Sequence, residues 1–452
     1  MDLLHDKIKT VYFKYLSAAF GSALVSSIYS IVDASMVGIY HGPEGTAALA
    51  VVAPLWNIIY SLGLLLGIGG SVIFSTKRGS GEKAEEANKY FTSSVLGAVI
   101  ISIIVWATLI LFEEHLLRFF GANEDLLALA KRYVRPIKYV FPLFLFNQLL
   151  SAFLRNDNNP GLATISVLSG GIFNVFGDYF FVFVCNMGIY GAGLATALGA
   201  AISFIIMLTH FLSRKNSLSL VKTEEPIKKI GEISVAGFSS FFIDIAMGIL
   251  TILFNRQIMN YLGSNALAIY GVIIQVSTFV QCCAYSVGQA SQPIISISYG
   301  AKNGKRIKET LSLALMTTLA FGVFWLVLST IFPSLYIRIF MSPTPEILTL
   351  APSIIRTYGL SFLLLPFNIF STYYFQSIMR PKEASIVSVL RGIVISGILI
   401  MILPSILGAN SIWFSMPLTE LIVAFYAAFA IYKYTKALPT IKEQSPFLEQ
   451  KI

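Results

Sequence analysis

Twelve continuous apolar segments recur along the chain, at roughly 11–40, 46–74, 90–112, 133–154, 162–184, 190–212, 233–260, 266–298, 309–332, 357–379, 385–407 and 411–432. A bilayer core about 30 Å thick is crossed by about 20 apolar residues in a helix. No water reaches that core, so each backbone polar group must be satisfied within a helix or a closed barrel. The runs do not alternate in units of about ten residues, which argues against a barrel. The chain reads as an all-α polytopic membrane protein with twelve transmembrane helices. Its charged residues, only 12% of the total, could not cover a soluble protein, where about 25% is usual.

The formal charge of +9 would suggest nucleic acid in a soluble chain. Here the basic residues sit in the connections between spans, and no nucleic-acid partner is expected. The side holding both termini carries 22 of the 32 Lys and Arg residues, in stretches such as TKRGSGEKAEEANK and AKNGKRIKE. The opposite side holds at most seven, all in the longer connections near 113–138 and 333–356. The positive-inside rule then makes both termini cytoplasmic, and a bacterial inner (plasma) membrane is the expected location. The first run is too long for a cleaved signal peptide and lacks an A-x-A site, so it is taken as the first span. Cys185, Cys282 and Cys283 form no disulfide framework or CxxC spacing, and the four histidines are scattered, so no zinc site is expected.

The chain also repeats itself. Gly79 opens a basic loop after the second span and Gly300 opens another after the eighth; Pro160 and Pro381 each follow 81 residues later. Gly42 and Gly263 share the same offset of 221, and the turns at Gly188 and Gly408 nearly share it. Six spans therefore follow six in the same orientation, a parallel repeat of two six-helix lobes with a substrate path between them. The expected division is an N-lobe at 1–212, a basic linker at 213–232, a C-lobe at 233–436 and a tail at 437–452.

An ionised side chain at mid-bilayer costs about 2.5–3.5 kcal/mol on insertion scales, so such residues face a cavity or a partner. Five are evident: Asp33, Asp178, Asp244, Arg391 and Glu420. Asp33 ends a stripe of Ser22, Ser26 and Ser30 at steps of three and four, one helix face. Asp178 follows Asn174 by four residues, so both share a face of the fifth span. An amide oxygen beside a carboxylate suits a hard cation. A desolvated carboxyl also suits proton exchange near neutral pH. Asp244 shares a face of the seventh span with Ser240, Gly248, Thr251 and Asn255. Arg391 and Glu420, on the last two spans, read as a buried ion pair. None of the five is duplicated by the repeat, so the scaffold is symmetric and its ionisable chemistry is not. A polar stripe on the eighth span, Gln275, Thr278, Cys282, Tyr285, Gln289 and Gln292, could line the path between lobes or pack within the C-lobe.

The motifs VDASMVG, GPEGTAALAVVAP, RNDNNPGLA, FNVFGD and MGIYGAGLATALG, in this order over nearly the whole chain, resemble those of the multidrug and toxic compound extrusion (MATE) family. The resemblance implies a V-shaped antiporter, not an enzyme and needing no cofactor, that exports amphipathic, often cationic, organic compounds against H+ or Na+. Its expected partners are small-molecule drugs or organic cations and membrane lipid, and a monomer is expected. The resemblance also implies an N-lobe ion site at Asp33, Asn174, Asp178 and Thr196, the residues that would hold Na+, and a second acid at Asp244. One departure stands out: the family's proline in the first span is here Ala18, which puts a bending of that helix in doubt. The alternative is a flippase for lipid-linked oligosaccharide, from the same superfamily. It would want a basic central cavity, and Arg391 is the only clearly mid-span Arg or Lys.

Overall fold

The computed structural model describes residues 2–341 and 344–438, without the side chains of Ser30 and Pro43. The proposed tail beyond 438 and the Ser30 member of the first-span stripe fall outside it. The apolar runs form helices in the order of the sequence. They are α1 (Ile8–Gly42), α2 (Glu44–Gly79), α3 (Ala84–Phe119), α4 (Glu124–Ile137), α5 (Phe141–Asn156), α6 (Pro160–Val184) and α7 (Ile189–Leu212). The second half has α8 (Pro226–Tyr261), α9 (Ser264–Gly300), α10 (Gly304–Ile331), α11 (Pro333–Phe340), α12 (Pro345–Gly359), α13 (Ser361–Ser377), α14 (Pro381–Leu407) and α15 (Ala409–Lys436).

Two boundaries differ from the expectation. The fourth span is broken: α4 and α5 meet at 58°, with Pro136 near the end of α4 and Pro142 in the first turn of α5. Neither proline can donate a backbone hydrogen bond, and two of them six residues apart weaken the helix where it breaks. The linker is also shorter than expected, because α8 begins at Pro226, whose fixed φ suits a helix start.

The repeat is written into the backbone. Left-handed residues recur at an offset of 221, as Gly42 and Gly263, Gly81 and Lys302, and Asn158 and Met379. The N-cap oxygen of Asn123, which accepts from Leu126 N at 2.9 Å, has its counterpart in Thr344 and Ile347 N at 3.4 Å. Asn147 Nδ2 donates to the Ala200 carbonyl at 3.0 Å, and Asn368 Nδ2 to the Glu420 carbonyl at 2.8 Å, at equivalent places in the two lobes.

Each lobe has its own core. A third core joins them at the end that carries the termini, where Leu3, Val11, Tyr12 and Tyr15 pack among Val287, Ile294, Phe370 and Tyr374. Tyr12 Oη donates to Thr317 at 3.0 Å, and Arg306 holds the Leu3 carbonyl at 2.7 Å. α2 and α9 cross here with two-fold reciprocity. A Cβ on Gly79 would overlap the Ile297 carbonyl, and one on Gly300 would overlap that of Thr76, the repeat equivalent of Ile297. Glycine alone allows the two backbones to come this close. The lobes are thus shut at the terminus-bearing end.

The chain between the lobes is fastened to the first of them. Asp157, fully buried, accepts from Arg78 Nη1 (2.8 Å), Ser217 N (2.8 Å) and the Ser217 hydroxyl, and its Oδ2 lies 2.8 Å from His210 Nε2. Asn88 bonds both the Ser217 carbonyl and Ser219 N, and Thr92 accepts from Val221 N at 3.0 Å.

Candidate ion site and central cavity

Between the lobes lies a cavity of about 840 Å³, within the range of sites that enclose drug-sized molecules. It reaches from Ser22 and Arg155 at its closed end to Gly38 and Thr46 near the opposite end of α1 and α2. From the stripe on α1, Ser22 and Ser26 face the cavity. The backbone of the first span stays helical at the position of the missing proline: Gly42 is the one non-helical point within α1 and α2. The Ala18 carbonyl accepts from Thr164 Oγ1 at 2.8 Å and from Ser22 Oγ at 3.0 Å, which ties α1 to α6 at that level.

Asp33 turns away from the cavity into the N-lobe and meets Asp178. Their carboxyls lie within hydrogen-bonding reach of each other. Asn174, one turn before Asp178, donates from Nδ2 to Thr196 Oγ1 on α7 at 3.1 Å. Asn174 and Thr196 line the cavity, so they stand between it and the carboxyl pair. The four residues named for the N-lobe are therefore neighbours, drawn from α1, α6 and α7.

A fifth member was not foreseen. Tyr133 Oη donates to Asp33 Oδ2 at 3.1 Å and also reaches the Thr196 hydroxyl. Tyr133 is carried by α4, the amphipathic first piece of the broken span. Its apolar face, with Leu127, Ala130, Val134 and Ile137, is buried in the N-lobe. Gly193 of α7 lies so close to the Tyr133 carbonyl that a Cβ would overlap it, which lets the phenol reach α1. The signal was the spacing of that apolar face, but a tyrosine near a span end reads equally as a membrane-interface anchor.

Four buried oxygens of this group have no donor: Asp33 Oδ1, both oxygens of Asp178 and Asn174 Oδ1. Two carboxylates in contact repel strongly where little water screens them. A proton shared between them, or a hard cation taking oxygen ligands, removes that repulsion and fills the empty acceptor positions. α6 changes pitch immediately beyond: Cys185 N bonds the Phe180 carbonyl at 2.8 Å, five residues back, a π-helical turn of the kind that recurs at functional sites.

In the C-lobe, Asp244 Oδ1 accepts from Tyr285 Oη at 3.4 Å, a long bond. It is separate from the N-lobe group. Arg391 and Glu420 form an ion pair, Nε to Oε1 at 2.8 Å, with Glu420 fully buried. Asn368, also unforeseen, donates to Glu420 Oε2 at 2.6 Å. On α9, Gln275, Thr278, Cys282, Tyr285 and Gln289 line the cavity, whereas Gln292 is buried and does not. Cys282 Sγ lies 2.8 Å from Ser27 Oγ of α1, so the lobes touch across the cavity wall.

Arg391 is not the only basic side chain deep among the helices. Arg155, in the last turn of α5, lines the cavity at its closed end. In the sequence it falls just past the fourth apolar run, beside the terminus-bearing loop.

The MatE family profile matches residues 18–180 and again 239–402, two copies whose starts are 221 residues apart. The multidrug export protein MepA of Staphylococcus saprophyticus is 26% identical over 416 residues, 91% of this chain and 90% of that protein. MepA of Staphylococcus haemolyticus is 24% identical over 423 residues, 93% of this chain and 92% of that protein. Among solved structures, an outward-facing multidrug resistance MATE family transporter of the MOP superfamily superposes with a TM-score of 0.86 at 21% identity, over 96% of this chain and 98% of that one. A MOP superfamily transporter from Pyrococcus furiosus, for which reversed polarity of the binding pocket suggests a different function, gives a TM-score of 0.87 at 19% identity, over the same shares.

Proposed function

The chain belongs to the MatE family of transporters, and from that premise we propose that it exports amphipathic organic compounds in exchange for H+ or Na+, by alternating access. The observation that carries this is the facing pair of Asp33 and Asp178, set behind the cavity-lining Asn174 and Thr196. With both termini cytoplasmic, the closed end is the cytoplasmic one and the conformation is outward-facing. A cation entering from outside reaches the pair through the cavity. Its binding relieves the repulsion between the two carboxyls and favours release of the exported compound on the same side. The inward step of the cation is driven by its gradient and by about 2.3 kcal/mol per charge per 100 mV of membrane potential. Asp244, held by Tyr285 on the cavity wall, is proposed as a second titrating group in the other lobe.

The test is Asp33→Asn in proteoliposomes, with ethidium efflux driven by a sodium gradient and then by a pH gradient. Ion-driven efflux should be lost while the melting temperature in detergent is kept. Efflux at the wild-type rate in both gradients would refute the reading. A flippase for lipid-linked anionic sugars is the second reading. The guanidinium of Arg155 in the cavity favours it, but a single Arg offers little against the charge of a pyrophosphate. Translocation of such a lipid without ethidium export would select it.

A further inference from the structure

The ion cycle makes no use of Arg155. The five charges read from the sequence each have a partner: Asp33 and Asp178 have each other, Asp33 also has Tyr133, Arg391 has Glu420, and Asp244 has Tyr285. Among the described residues Arg155 has no ion pair, and its one electrostatic neighbour is the phenol of Tyr373 on α13. It is also the one charged side chain among the described residues lining the cavity. An unpaired guanidinium within a membrane domain is costly unless water or an anion reaches it.

A packing role can be checked against the repeat. The equivalent of Arg155 in the second half is Gln376. Its Nε2 donates to the Ala236 carbonyl and to Ser240 Oγ, both at 3.0 Å, and so fastens α13 to α8. The matching positions on α1 are Tyr15 and Ala19, and Ala19 has no hydroxyl to offer. The first half has given up the fastening and turned a cation into the cavity instead.

The surroundings suit a ligand. Gln148 and Ser151 precede Arg155 by seven and four residues on α5 and line the cavity with it, as Gln289 does from α9. Higher up, Tyr29, Tyr60 and Phe144 add aromatic wall for an apolar body. A guanidinium and a carboxylate match in a planar two-bond fork. We infer that Arg155 is the floor of the substrate site and binds a carboxylate on an amphipathic zwitterion or anion, so the cavity selects for a negative group where the family resemblance implies cations. The inference rests on the export reading and narrows its substrate class.

The test compares rhodamine B, which bears a carboxylate, with its uncharged-acid counterpart, rhodamine B ethyl ester, by fluorescence anisotropy on the purified full chain. Wild type should bind the acid at least about tenfold more tightly than the ester, as expected for a charge-assisted bond. In Arg155→Gln that ratio should fall to about one, and in Arg155→Lys, which keeps the charge, it should be retained in part. A wild-type ratio of one or below, no binding of either dye, or a ratio that survives in Arg155→Gln overturns the inference. Addition of dioleoylphosphatidylglycerol separates the sources of an anion: retention of rhodamine B supports a small solute, and its displacement reassigns the site to a lipid headgroup. These readouts are binding ratios without a gradient, so loss of the coupled-export reading, seen only in ion-driven efflux, is distinguishable.

Discussion

The phenolic oxygen of Tyr133 lies 3.1 Å from Asp33 Oδ2, and by this bond the short first piece of the broken fourth span holds the acid of the first span. Tyr133 also reaches Thr196, so it positions two members of the proposed ion site without facing the cavity. Tyr133→Phe removes one bond to a buried acceptor, worth about 1–3 kcal/mol. Because that bond favours the ionised carboxylate, the proton concentration for half-maximal efflux under a pH gradient should fall by about fivefold or more, with the maximal rate largely kept. A change in maximal rate alone would count against a positioning role.

Glu420 is buried between Arg391 and Asn368. Glu420→Gln leaves the guanidinium without its counter-charge and should cost about 3–5 kcal/mol, whereas Arg391→Met combined with Glu420→Leu should cost much less. Thermal unfolding in detergent measures both. Equal destabilisation by the two variants would show that the pair serves something other than its own neutrality.

Gly300 presses its backbone on the carbonyl of Thr76. Gly300→Val forces these helices apart, and overpacking of this sort costs about 1–3 kcal/mol. The cost falls on the state that is closed at the terminus-bearing end, so the population should shift toward opening there. Spin labels at exposed Lys83 and Lys305 should report a longer mean separation by pulsed electron resonance. An unchanged distance distribution would mean that the crossing does not govern closure.

Ser27 and Cys282 touch across the lobes, at 2.8 Å between Oγ and Sγ. Ser27→Cys should cross-link to Cys282 under mild oxidant, stop efflux, and recover it on reduction. The same substitution combined with Cys282→Ala should be insensitive to oxidant. Efflux that continues in the cross-linked protein would mean the lobes need not part at this level.

Much of the architecture is legible because its causes are local. Apolar runs must be helices in lipid, and the glycines and prolines at an offset of 221 mark where each helix starts and stops. Asp33, Asn174 and Asp178 stand out for the same reason: a polar residue at helical spacing in an apolar run has few explanations. What escaped is decided by tertiary structure. Tyr133 looks like an interfacial anchor until α4 bends under the lobe. Asn368 looks like any helix amide until Glu420 is beside it. Arg155 belongs to a loop by count and to the cavity by geometry. The break between α4 and α5 is foreshadowed by Pro136 and Pro142, but apolar length outweighed them in the sequence.

The fastening of the chain after α7 limits how far the machine can travel. Asp157, Asn88 and Thr92 hold that chain to the N-lobe as far as Val221, and α8 starts at Pro226. Only Lys222, Thr223, Glu224 and Glu225 are left as slack, and the five Cα–Cα steps from Val221 to Pro226 drawn straight reach about 17–18 Å. If the anchor holds through the cycle, the gape at this end is capped by a leash of that length, and lengthening it is a direct way to ask whether stroke limits turnover.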